Sequence, residues 1–248
     1  MNKIIKILSE WLKDFLRKIR SVLFSVFYFG NQRLCPICNK SSRKFRKYGK
    51  NYYNEVVCVH WYSLPRHRFV WLYMNHMTNL FDGNPKSFLH VAPEKCLMLK
   101  LKKRLKEGYV SADLYSRAMI KMDITNIQFI DESLDAVYCS HVLEHVQEDR
   151  KAMSEFYRIL KKDGWAIFMV PITKGKTFED PTITEPIERK RVFGQEDHVR
   201  CYGADFVDRL KKVGFNVKVD NAKDLFTEND IKYMGLPEGE DIFFCKKI

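Results

Sequence analysis

Between Ser133 and Pro171 the chain reads SLDAVYCSHVLEHVQEDRKAMSEFYRILKKDGWAIFMVP, and this stretch restricts the fold more than any other. Its first eight residues have the pattern of a short buried strand, ending on a polar elbow at Ser140-His141. Val142, Leu143, Val146, Met153, Phe156, Ile159 and Leu160 then recur at spacings of three and four, the period of one helical face. Lys161-Lys162 suit the last turn of that helix, where cations meet the negative end of the dipole, and Gly164 supplies a stop. WAIFMVP is apolar without alternation, as expected of a strand covered on both faces of a parallel sheet. A strand, a polar elbow, a helix and a second strand form the unit at which open α/β sheets bind ligands.

The length of 248 residues leaves room for one α/β domain and a small appendage. The net charge of +12 is confined to residues 1–70, which hold 15 Lys and Arg against Glu10, Asp14 and Glu55; the remainder holds 28 basic and 28 acidic residues. An anionic partner, a membrane surface or a nucleic acid, therefore addresses the N-terminal part. Seven cysteines in a chain of this length do not form a secreted disulfide framework, and a reducing cytoplasm is the expected compartment. No apolar run approaches the roughly 18 residues of a spanning helix.

Three units are expected: 1–30, 31–70 and 71–248. In the first, Ile4, Leu8, Trp11, Phe15, Ile19 and Leu23 alternate with Lys and Arg at helical spacing. Such a helix suits the membrane interface, which would place the protein peripherally at the inner face; the competing reading packs its apolar side on the protein or in a homodimer. The second unit carries Cys35-Pro36-Ile37-Cys38, followed by Cys58. C-x-x-C lets two thiolates meet one zinc ion, and Cys58 is the natural third ligand; Trp61 stands where a second C-x-x-C would place the fourth cysteine, and His60, with His67 next in line, is the substitute. In the third unit RHRFVWLYMNHMTNLF and LMLKLKKRLKEG read as helices, with Phe69, Leu72, Tyr73 and Met77 in the core. SFLHVAPE and YVSADLYS read as strands, MDIT leads through a loop to the strand at Ser133, and residues 172–197 form a long polar loop.

Glu94, Asp113, Asp123 and His141 thus fall at strand tips, which line one edge of a doubly wound sheet. A carboxylate ending the second strand can accept from both hydroxyls of a ribose. The run from SADLYS through MDIT, YCSHVLEHV and RILKKDG to WAIFMVP resembles the class I S-adenosylmethionine-dependent methyltransferases over residues 86–248. With CPIC, LPRHRFVWLYM, LHVAPE, FGQEDHVRCYG and IFFCKK it is similar to bacterial methyltransferases that carry an N-terminal zinc-ribbon-like segment. The resemblance implies a Rossmann-like, mostly parallel sheet. It implies a cofactor site of His90, Ala92, Pro93, Glu94, Asp113, Leu114, Asp123, Ile124, Thr125, Ser140 and His141, with Asp113 on the ribose. The usual glycine-rich first loop is replaced by His90-Val91-Ala92-Pro93-Glu94, so the close backbone approach that glycine permits has to be obtained otherwise.

A hydroxyl or amine acceptor must lose a proton, and His198 is the candidate base or acceptor ligand, with Arg200 holding an anionic group of the acceptor. The alternative for His198 is a residue that fixes the start of a helix. The expected activity is methyl transfer to a small polar, sugar-like or lipid-linked acceptor. The competing readings are a methyltransferase acting on RNA or protein, and a binding protein without chemistry that uses the basic ribbon.

Overall fold

A computed structural model describes residues 26–49, 53–115 and 118–248. The amphipathic segment expected at 3–29 lies outside the described residues except for its last four. Two small antiparallel pairs come first, β1 (Arg33–Cys35) with β2 (Lys40–Ser42) and β3 (Arg46–Tyr48) with β4 (Tyr53–Val57). Helix α1 (Pro65–His76) leads to β5 (Phe88–Val91), α2 (Lys95–Leu105), β6 (Tyr109–Asp113), β7 (Ile120–Lys121) and β8 (Leu134–Ser140). Then follow α3 (Asp149–Ile159), β9 (Leu160–Met169), β10 (Phe178–Glu179), α4 (Pro186–Phe193), β11 (Arg200–Cys201) and α5 (Phe206–Val213). The chain closes with β12 (Asn216–Asn221), α6 (Ala222–Leu225), α7 (Glu228–Met234) and β13 (Asp241–Lys246).

Seven strands form one sheet in the order β12-β13-β9-β8-β5-β6-β7. The five strands from β9 to β7 are parallel, and β13 lies antiparallel against both β9 and β12. From β5 the chain winds outward to β6 and β7, then returns to the other side of β5 for β8 and β9. The direction of winding reverses beside β5, which makes the ends of β5 and β8 the switch point of the sheet.

Alternation along each strand divides the core in two. Phe88, Tyr138, Trp165 and Ile167 pack with α1 and α2 on one face; Leu89, Val91, Val137, Cys139, Ala166 and Phe168 pack with α3 and α5 on the other. Cys35, Ile37, Phe45 and Cys58 belong to the first of these clusters, so the ribbon shares its core with the sheet. The expected boundary at 70/71 falls inside α1. Arg68, fully buried, reinforces the join, donating to Ser63 O (2.7 Å), Val56 O (3.0 Å) and Gly235 O (2.5 Å).

Three local expectations change. The helix after the elbow begins only at Asp149, because residues 143–145 form a single 3-10 turn. Carbonyls that a continuous helix would bond internally are taken by another part of the chain: Arg200 donates to Leu143 O, Val146 O and Gln147 O. The helix ends at Ile159, and Leu160 is already extended. Gly164 therefore stops nothing; it sits within β9, where a Cβ would lie 2.8 Å from Lys161 O and 3.1 Å from Asp135 O. Met77, expected in the core, is exposed.

Candidate active site

A cavity of about 390 Å³ opens at the switch point. Each of its walls is the C-terminal end of a parallel strand: Val91 and Ala92 after β5, Asp113 to Tyr115 after β6, Met122 to Ile124 after β7, and His141 and Val142 after β8. His145, Val146 and Asp197 complete the rim. Two of the strands end in the left-handed region, Ala92 at φ 46° and His141 at φ 53°. Non-glycine residues are uncommon there, and such strain collects at functional sites. Ala92 answers the missing glycine loop: it makes the turn that glycine would make, held by Ala92 N donating to Ala112 O at 2.8 Å. His141 is held in the same way, its N donating to Met169 O at 2.8 Å.

Asp113 Oδ1 accepts from Tyr115 N at 2.7 Å, which folds the loop after β6 and fixes the carboxylate. Oδ2 has no partner among the described residues, so one oxygen is fully free for a ribose where two were expected. Asp123 Oδ1 accepts from both Thr125 N and Thr125 Oγ1 at 2.8 Å. The Thr125 hydroxyl is thereby engaged and does not line the cavity, whereas Ile124 and Leu114 do.

Four other expected residues stand elsewhere. His90 follows Phe88 by two positions, so its ring lies on the α1 side of the sheet, completely buried. There Nε2 donates to Glu94 Oε2 at 2.8 Å, and Nδ1 meets Tyr109 OH at 3.0 Å. Glu94 also accepts from Tyr138 OH at 3.2 Å and lies 3.7 Å from His67. Burial alone would raise the Glu94 carboxyl, but the His90 hydrogen bond and the charges of His90 and His67 outweigh it and hold it at about 2. Pro93 and Ser140 are outside the cavity lining, and Ser140 Oγ is buried without a partner. Tyr115 and Asp197 were missed by sequence reasoning. His145, which the sequence puts close to the cofactor edge or else in the core against its own helix, stands on the rim.

His198 is 6% exposed and stands behind His145, the ring centroids 4.6 Å apart at 87°. His145, not His198, reaches the cavity. Burial, and after it the neighbouring His145, push the His198 imidazole down. Arg200 is not free for an acceptor. Besides its three carbonyls it donates Nε to Glu179 Oε2 at 2.9 Å and lies 3.8 Å from Asp149. Arg209 bonds the same two carboxylates at 3.0 and 2.8 Å, and Tyr202 OH donates to Asp149 Oδ2 at 2.8 Å. This buried network is structural: it ties β10, β11 and α5 to the start of α3.

In the ribbon, Cys35, Cys38 and Cys58 place their sulfurs within 4.8 Å of one another, and Cys38 Sγ to Cys58 Sγ is 3.8 Å. Two thiolates on a tetrahedral zinc at about 2.3 Å each stand about 3.8 Å apart. The trio fits that ion. His60 does not join it; its Nε2 lies 3.3 Å from Ser41 O. His67 is occupied with Leu64 N at 3.1 Å and Cys96 Sγ at 3.3 Å.

Residues 93–168, from the turn after β5 to the end of β9, match a family model described as a methyltransferase domain. No curated protein sequence matches the chain. Among solved structures, an S-adenosylmethionine-dependent methyltransferase from Mesorhizobium loti is similar at 12% identity over 71% of this chain and 97% of that one, with a TM-score of 0.49. A second, from Archaeoglobus fulgidus, is similar at 16% identity over 72% and 93%, with a TM-score of 0.46. The matched segment supplies three of the four strand ends that wall the cavity, those after β6, β7 and β8. Residues 93–168, which bring Asp113, Asp123 and His141 to the crevice, thus match a methyltransferase domain.

Proposed function

We propose that the chain methylates a small polar acceptor, sugar-like or lipid-linked, that enters beside His141. S-adenosylmethionine supplies the methyl carbon and a sulfonium leaving group, so the protein's part is orientation and proton management. The apolar side chains of Val91, Met122, Ile124 and Val142 suit the adenine, and Asp113 suits the ribose. The observation that carries the acceptor class is the company His141 keeps. Glu144 Oε1 is 3.4 Å from its Nδ1. Glu240, whose carboxyl is pushed up by burial, feels the charges of His141 and Arg66. A group of titratable side chains around the reacting end suits hydroxyl, amine or carboxylate groups better than an apolar acceptor.

The test has two arms. Calorimetry with S-adenosylhomocysteine should show Asp113→Ala weakening binding by one charge-assisted hydrogen bond, about 1.5–3 kcal/mol. Equal affinity in the two proteins would remove Asp113 from the ribose. Incubating the protein with methyl-labelled cofactor and cell extract, then separating metabolites, lipids, RNA and protein, should place the label in the small-molecule or lipid fraction. Label in RNA or protein would refute the acceptor class and leave the donor site standing.

The same reading gives the ribbon one zinc ion on Cys35, Cys38 and Cys58, which would staple a segment too small to hold itself by core burial alone. Metal analysis of protein never exposed to nickel should show Cys38→Ser losing one equivalent of zinc. An unchanged zinc content would end this assignment.

A further inference from the structure

Glu144, His145 and His198 bring one carboxylate and two imidazoles together at the rim of the crevice, with one ligand atom from each within 4.8 Å of the others. Glu144 is 2% exposed; His141 Nδ1 lies 3.4 Å from its Oε1, yet among the described residues neither carboxylate oxygen accepts a hydrogen bond. Buried carboxylates that accept no hydrogen bond are rare, because desolvation is then left poorly compensated. His198 repeats the pattern. Its Nδ1 is 3.2 Å from Phe193 O, and since a carbonyl only accepts, Nδ1 carries the proton and Nε2 the lone pair. That Nε2 is buried with no partner. His145 Nδ1 in turn lies 3.2 Å from Asp197 Oδ2.

A histidine that ligates a metal usually gives its other ring nitrogen to a backbone carbonyl or a carboxylate, which fixes tautomer and orientation. His198 has the first kind of support and His145 the second. The two segments are also locked together, Val199 N donating to Glu144 O at 2.9 Å and the Arg200 guanidinium to Gln147 O at 2.8 Å. The donors are therefore held in place before any ligand arrives.

We propose that Glu144, His145 and His198 form a binding site for a divalent first-row metal ion beside the methyl-donor crevice. Two imidazoles and one carboxylate suit manganese, iron, cobalt or zinc, and the set differs from the three thiols of the ribbon, which select softer ions. The two sites can thus be addressed separately. The site's existence does not depend on the methyltransferase reading, and neither does its test.

The probe is Mn²⁺, titrated into the full-length chain after dialysis against a chelator, with the free ion read by electron paramagnetic resonance. One ion should bind per chain. Glu144→Gln and His198→Asn should each weaken it at least tenfold, and Cys38→Ser should leave it unchanged. Glutamine keeps the shape of the side chain and gives up only the 3.4 Å contact with His141, so in metal-free buffer the Glu144→Gln chain should melt close to the parent. With Mn²⁺ added, only the parent's melting midpoint should rise. Should the His198 variant fail to fold, His145→Gln at the half-exposed rim takes its place. Absence of a one-to-one Mn²⁺ site in the parent, or equal Mn²⁺ affinity in folded variants, would overturn the proposal. S-adenosylhomocysteine binding measured on the same samples reports separately on the donor site.

Discussion

Ala92 and His141 occupy a backbone region that costs an ordinary residue about 1–2 kcal/mol, at the tips of the two strands that flank the switch point. The turn itself is the requirement at Ala92, since its side chain is only a methyl group. Ala92→Gly should therefore keep the melting midpoint at or above the parent's, the relief of strain offsetting the extra freedom of glycine in the unfolded chain. Ala92→Val, β-branched at a positive φ, should lose about 1–3 kcal/mol in chemical denaturation. A glycine variant clearly less stable than the parent would mean that the Ala92 methyl is needed for packing. The tips at Asp113 and Asp123 were legible in the sequence because each is a carboxylate closing an apolar run. His90 and Glu94 were not, because FLHV is buried on both sides and nothing in a fully covered strand says which residues face which layer.

At the scale of elements, the strand before the elbow and the helix face of Met153, Phe156 and Ile159 were legible from the apolar pattern. The interruption between them was not, because its cause lies more than fifty residues away in Arg200. The same distance hid the role of the polar loop at 172–197. It contains β10 and α4, and β10 pairs with β11 so that Glu179 reaches Arg200 and Arg209. Asp149 sits between both arginines, 3% exposed. Asp149→Ala should leave two buried guanidinium groups short of a partner and cost about 3–5 kcal/mol. Urea denaturation measures this directly. A loss below about 1 kcal/mol would show the network to be dispensable.

For the whole molecule, the division of charge was legible, but the partition into independent units was not, because a ribbon of this size has no core without the sheet beneath it. Acid should loosen the assembly from two places. Glu94 is held at about 2 by His90 and His67 against its own burial, and Glu179 at about 2, first by its hydrogen bond to Arg209. Both are depressed carboxylates. Their stabilisation is fully present above the ordinary value of 4.5 and is lost as pH falls from there toward 2. Unfolding free energies measured at pH 6, 4 and 3 should fall over the last two points, and a flat profile would contradict both assignments.

The position of β13 sets the timing of this fold. It is the last strand in the sequence but an interior strand of the sheet, with β9 on one side and β12 on the other. Among the described residues β12 has no other neighbour in the sheet, so it cannot join until β13 has. During synthesis the five parallel strands and their helices can emerge and collapse, but β9 keeps an open edge that exposes its backbone groups. That edge stays unpaired until Asp241–Lys246 leaves the ribosome. Until then the nascent chain is a sheet awaiting an interior strand, the stage at which strand edges invite aggregation and chaperones matter most.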